Sequence, residues 1–418
     1  MKLLKLLQEE MVLALGCTEP IAIAYAAALV TKTLGHAPKR MTAHCSANMI
    51  KNVKSVIVPN SNGMKGINTA CVMGAYFGDV DKKLQVLAQV TENQAVQCQE
   101  LLSHVPCEVK LLDSSSTLHI IISGEYDTDS ASVEIRDAHT QVVKIIKNDR
   151  VQYEQEIECI DIERQTPLIE SISIDEIINF ARHVDYTSIK DLLQQTVECH
   201  LQIAKEGLTN HYGVNVGKSI LMTSDSTLKN RAKAYTAAAS DARMSGCDLP
   251  VMINSGSGNQ GLTVSLPIII YAMELNVSNE QLYRALILSN LIALYEKSYI
   301  GKLSAYCGVV CAASGSAAGI TLLKEGNNEQ IAAAVTNTLG TLSGIICDGA
   351  KAACASKIAT CVDTAITCHE MAMLGNVLAD GDGIIKHDLD KTISMVGRLA
   401  NIGMKETDKE ILNIMLNH

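Results

Sequence analysis

Hydrophobic positions recur at helical spacing at both ends of this chain and alternate with polar ones in its middle. Leu3, Leu6, Leu7, Met11 and Leu15 share one face of a helix that Gly16 stops. Thr18 then reads as an N-cap and Pro20 as the first helical residue, where its missing N–H costs nothing. They open an Ala-rich helix, Ile21–Leu34, closed by Gly35. Cys17 is thereby expected in a sharp junction at a helix N-terminus.

From about Met41 the texture changes. Val53–Val58 is a β-branched run that ends in Pro59-Asn60-Ser61-Asn62-Gly63, a turn cluster, while Gly66–Phe77 and Thr91–Leu102 read as helices. Glu108–Leu112, Thr117–Glu125, Ala131–Arg136 and Gln141–Lys147 alternate apolar and polar residues, which predicts an antiparallel meander with one solvated face. Beyond Pro167 the pattern is helical again: Ser173–Val184 and Ile189–Glu206 are amphipathic, and the remainder is rich in Ala, Gly and Ser. The fold class is therefore α+β. A mainly helical domain is formed by both chain ends, 1–39 and 167–418, with a smaller α+β domain containing an antiparallel sheet inserted at 40–166.

Composition narrows the functional classes. The 418 residues carry a formal net charge of −10, which repels phosphate backbones and anionic membrane surfaces, so no nucleic-acid or membrane partner is expected. The uncharged apolar stretches Pro20–Val30 and Leu262–Met273 fall short of the ~20 residues of a bilayer span. Lys5, Glu9 and Glu10 interrupt the run that a signal peptide would keep apolar, and a cytoplasmic location is expected. Aromatic residues make up only 3%, with no Trp, so the core must be built from small and aliphatic side chains that let helix backbones approach closely. Such small-residue faces also suit a homodimer.

Fourteen cysteines without a Cys-x-x-Cys pair argue against zinc ribbons, and a reducing cytosol leaves them as free thiols, metal ligands or a catalyst. Cys17, in Gly16-Cys17-Thr18-Glu19-Pro20, is either a small buried residue in a tight turn or a thiol whose pKa the helix N-terminus lowers, fit to act as nucleophile or base. Cys347, Cys354, Cys361 and Cys368 recur every seventh residue, the spacing of one helix face. Asp348 and Gly349 are poor helix-interior residues, however, so the chain is expected to turn after Cys347, and Gly308 follows Cys307 in the same way. Cys307, Cys347 and Cys354 are the candidates for holding an inorganic group; Cys361 and Cys368 read as core. Zinc would want a fourth ligand, and His369 and His387 lack ligand-like spacing, whereas a [4Fe–4S] cluster with three protein ligands leaves one iron open. Asn254-Ser255-Gly256-Ser257-Gly258-Asn259-Gln260-Gly261 reads as an anion-binding nest for a carboxylate or phosphate. The same loop, taken with Lys229, loosely resembles pyridoxal-phosphate enzymes, but the strand–helix alternation that such a fold needs is missing after residue 261.

Four motifs in order, Gly16-Cys17-Thr18-Glu19-Pro20, Ser255–Gly261, Ala305-Tyr306-Cys307-Gly308 and Cys347-Asp348-Gly349-Ala350-Lys351-Ala352-Ala353-Cys354, together resemble the L-cysteine desulfidase family, which is related to the iron–sulfur L-serine dehydratases. The resemblance runs through nearly the whole chain. It implies an oxygen-sensitive [4Fe–4S] cluster on Cys307, Cys347 and Cys354, with Cys17 as catalytic base. It further implies that Thr18, Glu19, Ser255, Ser257, Asn259 and Gln260 bind a small amino-acid substrate. The activity implied is β-elimination of L-cysteine to pyruvate, ammonia and sulfide. L-Serine dehydration is the near alternative, although the serine dehydratases have a longer spacing between the last two ligands and a C-terminal cysteine that can occupy the open iron, where this chain reads Met415-Leu416-Asn417-His418. A reading of another class is a non-catalytic iron–sulfur or thiol sensor.

Overall fold

The computed structural model describes residues 2–155, 172–301 and 303–416. The chain opens with α1 (Lys2–Glu10), a short strand β1 (Leu13–Leu15) and α2 (Thr18–Leu34). Next come β2 (Arg40–Cys45), α3 (Ala47–Val53), α4 (Gly66–Phe77) and α5 (Glu92–His104). Five strands follow: β3 (Cys107–Leu111), β4 (His119–Tyr126), β5 (Asp129–Arg136), β6 (Val142–Lys147) and β7 (Arg150–Glu154). The second half begins with α6 (Ile174–His183), α7 (Lys190–Thr209), α8 (Val216–Thr223), α9 (Leu228–Met244) and the short β8 (Pro250–Met252). It ends with α10 (Gly258–Leu275), α11 (Asn279–Ile300), α12 (Gly308–Leu323), α13 (Asn328–Leu342), α14 (Cys354–Met373), α15 (Leu389–Arg398) and α16 (Lys405–Leu416). The molecule is thus α+β and mainly helical, as the periodicity predicts. The boundary expected at 166/167 lies outside the described residues. Among those residues no helix is long and apolar enough to cross a membrane.

Two large apolar cores result among the described residues. In the helical part, α12 is buried along almost its whole length and is flanked by α10, α11, α13 and α14. Such a helix has to be made of small residues. A Cβ added at Gly315 would lie only 2.4 Å from the Ser289 carbonyl oxygen of α11, so the two backbones are in contact. The second core lies between the six-stranded sheet, order β3-β2-β4-β5-β6-β7, and helices α2 and α4. Ile120, Ile122, Ala131, Val133 and Ile135 face inward at period two, with Glu134 and Arg136 on the other face, the pattern of a half-covered sheet. Here too a glycine sets the spacing: a Cβ on Gly74 of α4 would lie 2.1 Å from the carbonyl oxygen of Ala24 in α2.

Three local expectations need correction. The first helix ends at Glu10, and Leu13–Leu15 is instead strand β1, paired antiparallel with β8. Residues 53–58 do not form a strand: Met49 and Val53 bury one face of α3, and the chain then turns, with a single bridge between Ile57 and Lys65. The meander holds from β4 to β7, but β3 runs parallel to β2 on its far edge, because three helices separate the two strands and supply the long crossover that a parallel pair requires. Within segment 1–39, α1 packs Leu3 and Leu7 into the helical core, and α2 is buried against α4 and the sheet. An Ala-rich pattern alone assigns α2 to the helical part, but a helix that is apolar nearly all round suits a site between layers.

Gly74→Ala is expected to lower stability by about 1–3 kcal/mol, since the added methyl must part α2 from α4; a urea unfolding midpoint equal to that of the native sequence would contradict this packing.

Candidate active site

Two short backbone pairings bring distant segments together. In the first, Leu13 lies opposite Met252 and Leu15 opposite Pro250, and the Ile253 N–H donates to Val12 O at 2.9 Å. This sets Gly16-Cys17 beside the 254–261 loop. That loop is a two-residue turn: Asn254 and Ser257 exchange backbone hydrogen bonds of 3.1 and 3.0 Å, and Ser255 and Gly256 between them have φ of 48° and 76°. In the second pairing the Cys307 N–H donates to Ile345 O at 3.0 Å and the Cys347 N–H to Ala305 O at 2.6 Å, which sets Cys307 beside Cys347. The chain then turns at Gly349, where φ is +89° and an added Cβ would meet Lys51 O at 2.5 Å, and α14 starts at Cys354.

These segments line one cavity enclosing about 660 Å³ of space, part of it open to solvent. On its wall stand Cys17, Glu19, Ser257, Asn259, Gln260, Cys307, Cys347 and Cys354, all singled out by their motifs. Two others stand behind it. The Thr18 hydroxyl donates to Gly256 O at 2.8 Å and so ties α2 to the loop, and Ser255 is buried at the turn itself. Lys229 does not line this cavity: its Nζ donates to Thr367 Oγ1 at 2.6 Å and lies 3.3 Å from Asp363 Oδ2, which removes the pyridoxal reading of that lysine.

Four helices begin at this wall. Cys17 is the N-cap of α2, Ser257 that of α10 and Cys307 that of α12, while Cys354 is the first residue of α14. Helix α2 therefore starts one residue before the position that Thr18 as a cap would give it, and Pro20 sits in its first turn, where an N–H is not needed. Each helix start presents N–H groups and partial positive charge to the cavity. Arg243 of α9 and Lys297 of α11 also reach it, both buried. Arg243 Nη1 donates to Asn259 Oδ1 at 3.1 Å, and its Nε is buried without a hydrogen-bond partner. Lys51 supports the wall from behind, donating to Cys347 O at 3.3 Å and pairing with Asp408 of α16.

The thiol at position 17 departs from expectation. Its pKa is raised well above the usual value, first by burial and then by the negative charge of Glu19; Arg243 pulls the other way but does not win. Cys17 Sγ donates to Glu19 Oε2 at 2.9 Å, and Asn52 Nδ2 donates to Glu19 Oε1 at 3.2 Å. A protonated thiol is thus held on an oriented carboxylate, a pair able to pass one proton along. Burial also pushes up the thiols of Cys307 and Cys354, and negative charge on Cys347 raises both further. Negative charge on these sulfurs therefore calls for positive charge among them. Among the described residues no group of three or more His, Cys, Asp or Glu side chains is placed to hold a single metal ion. Cys361 and Cys368 are buried along α14, in the core role expected of them.

Asn52 and Arg243 are site residues that sequence reasoning missed. Arg243 had a visible signal, a cation in the small-residue run Ala237-Ala238-Ala239-Ser240-Asp241-Ala242-Arg243; Asn52 had none.

Comparison with known proteins bears on the same segments. The sequence profile of the serine dehydratase alpha chain matches residues 81–413. The chain is 49% identical over 416 residues to a UPF0597 protein of Lachnoclostridium phytofermentans, covering 100% of this chain and 99% of that one. It is 44% identical to a UPF0597 protein of Treponema denticola (99% and 97% covered) and 47% identical to one of Desulfitobacterium hafniense (99% and 96% covered).

Because the Glu19 carboxylate raises the Cys17 pKa, neutralising it in Glu19→Gln is expected to move that pKa down. The pH midpoint of Cys17 alkylation by iodoacetamide, read by peptide mass spectrometry, should fall; an unchanged or higher midpoint would show that Glu19 does not govern this thiol.

Proposed function

The chain belongs to the serine dehydratase alpha chain family, and from that premise we propose that it is a lyase that eliminates the β-substituent of a small amino acid, with L-cysteine as substrate and a [4Fe–4S] cluster as cofactor. The observation that supports this reading most is the convergence of three thiols, Cys307, Cys347 and Cys354, with the Cys17–Glu19 pair on one cavity. The donor set fits such a cluster. Three soft sulfur ligands come from separate segments, and the four helix N-termini with Arg243 and Lys297 offset the negative charge of thiolates and substrate carboxylate. When bound, the cluster supplies an open iron, a Lewis acid for the departing sulfur or oxygen.

The chain's own residues do the rest. The N-terminal N–H groups of α10, Ser257 and the Arg243 guanidinium hold the substrate carboxylate. Asn52 Oδ1 and Gln260 Oε1, both buried without a hydrogen-bond partner, accept from its ammonium group. Cys17 Sγ takes the Cα proton as its own S–H proton passes to Glu19 Oε2, so no free thiolate has to exist beforehand in this buried place. The Cα–H bond breaks at one end and the Cβ–S bond at the other, leaving an enamine that water converts to pyruvate and ammonia, with sulfide as the leaving group. L-Serine, which would release water instead, is the second reading, favoured by the description of the family profile. Cysteine is placed first because the Gly16–Pro20 motif and the seven-residue step from Cys347 to Cys354 resemble those of cysteine desulfidases.

Anaerobically purified protein is expected to contain iron and to yield equal amounts of sulfide and pyruvate from L-cysteine, faster than pyruvate from L-serine. Iron without turnover of either amino acid would overturn the lyase reading. Cys17→Ala should keep its iron and lose roughly 10²-fold or more in kcat, the scale of a general base, whereas Cys347→Ala should lose the iron. Cys361→Ala should keep iron and turnover, at a stability cost of about 1 kcal/mol from the cavity left behind.

A further inference from the structure

The C-terminal helix α16 buries little of itself: of its described side chains only Ile411 is buried. Its contacts with α3 are polar. Asp408 pairs with Lys51, whose side chain is 2% exposed, and Asp408 Oδ2 accepts from Asn48 Nδ2 at 2.7 Å. One turn further along α16's partner, Lys54 Nζ donates to Met415 O. The Lys51 ammonium that Asp408 neutralises also donates to Cys347 O at 3.3 Å. Its backbone carbonyl lies against Gly349, where an added Cβ would be 2.5 Å from Lys51 O and 3.6 Å from Met415 Cε. One residue of α3 thus holds both ends of the Cys347–Gly349 turn, and a carboxylate of α16 holds that residue. The next residue, Asn52, reaches the other half of the cavity by donating to Glu19 Oε1 at 3.2 Å.

We propose that Lys51 and Asp408 are positioning residues, which make the Cys347 wall of the cavity depend on the docking of α16. The reason is electrostatic. Leaving a buried ammonium without its carboxylate is strongly unfavourable, so Lys51 stays beneath the Cys347 carbonyl only while Asp408 is there to neutralise it. With that charge removed, the ammonium turns toward water on its flexible stem, and the hydrogen bond to Cys347 O is lost. The turn then loses the contact that fixes its first residue, and the Cys347 thiol opens to solvent. A helix held by polar contacts and a single buried apolar side chain is also one that opens locally at low cost. Cys347 is one of the three thiols assigned above to the cluster, so the role of this contact in holding iron rests on that reading. The contact itself belongs to the chain alone.

The test compares the native sequence with Asp408→Asn, which keeps the shape and removes the charge, with Lys51→Met, and with the double variant. In iron-free protein, Cys347 of Asp408→Asn is expected to react with iodoacetamide roughly tenfold faster than in the native chain, read by peptide mass spectrometry. That figure is set below the full penalty of unpairing a buried charge because Asp408 is 22% exposed. Cys361, buried in α14, should react at its native rate, which a general loosening of the fold would not allow. Lys51→Met should accelerate Cys347 similarly, and the double variant no more than either alone, since the two residues act through one contact. Iron-loaded Asp408→Asn should also yield its iron to a chelator faster than the native protein does. The proposal is overturned if Cys347 of Asp408→Asn reacts at the native rate, if Cys361 accelerates equally, or if the effects of the two single variants multiply in the double one. Native protein that takes up no iron would instead overturn the cluster reading, and the alkylation rates would still decide the role of α16.

Discussion

Four helix N-termini share one cavity, and the rest of the candidate site depends on that constraint. Each helix start leaves N–H groups that need acceptors, and gathering α2, α10, α12 and α14 at one place concentrates partial positive charge there. With the buried cations Arg243 and Lys297, such a place suits anionic occupants, above all thiolates around a metal cluster and a substrate carboxylate. The convergence needs little backbone pairing. Strands β1 and β8, with three residues each, bring Cys17 to the Ser257 loop, and the pairing of 305–307 with 345–347 brings two of the thiols together.

At Cys17 two effects compete, and their sizes decide the outcome. A helix N-terminus favours the thiolate by ~0.3–1 kcal/mol, whereas full burial of an ionisable group shifts its pKa by up to ~3–5 units. Burial wins here, and Glu19 adds to it. The chemical consequence is a neutral thiol already hydrogen-bonded to a carboxylate. A pair of this sort moves a proton without exposing a charge to the apolar interior, which suits a site whose wall includes Leu303 and Val309.

Joining the helical part to the α+β layer falls to α2. Its N-terminus belongs to the cavity and its length to the sheet core, so the Cys17–Glu19 pair is fixed by packing in both. Close approach at Gly74 and Gly315 is the mechanism in each layer.

Local physics made much of this legible in the amino-acid order. Helical periodicity marked α4 to α7, period-two alternation marked β4 to β6, and glycine after Cys307 and near Cys347 announced that these thiols sit at turns. The residue types at Cys17, Glu19, Ser257, Asn259, Gln260, Cys307, Cys347 and Cys354 named eight residues of the cavity wall. What the order of residues could not supply depends on through-space contact. The strand character of 13–15 exists only because residues 250–252 lie beside it, and the direction of β3 is set by the crossover that precedes it. Arg243 and Asn52 join the site from helices whose faces no periodicity assigns to a cavity. Even the protonation of Cys17 was decided by tertiary structure, because desolvation is a property of everything packed around the sulfur and not of the five residues that contain it.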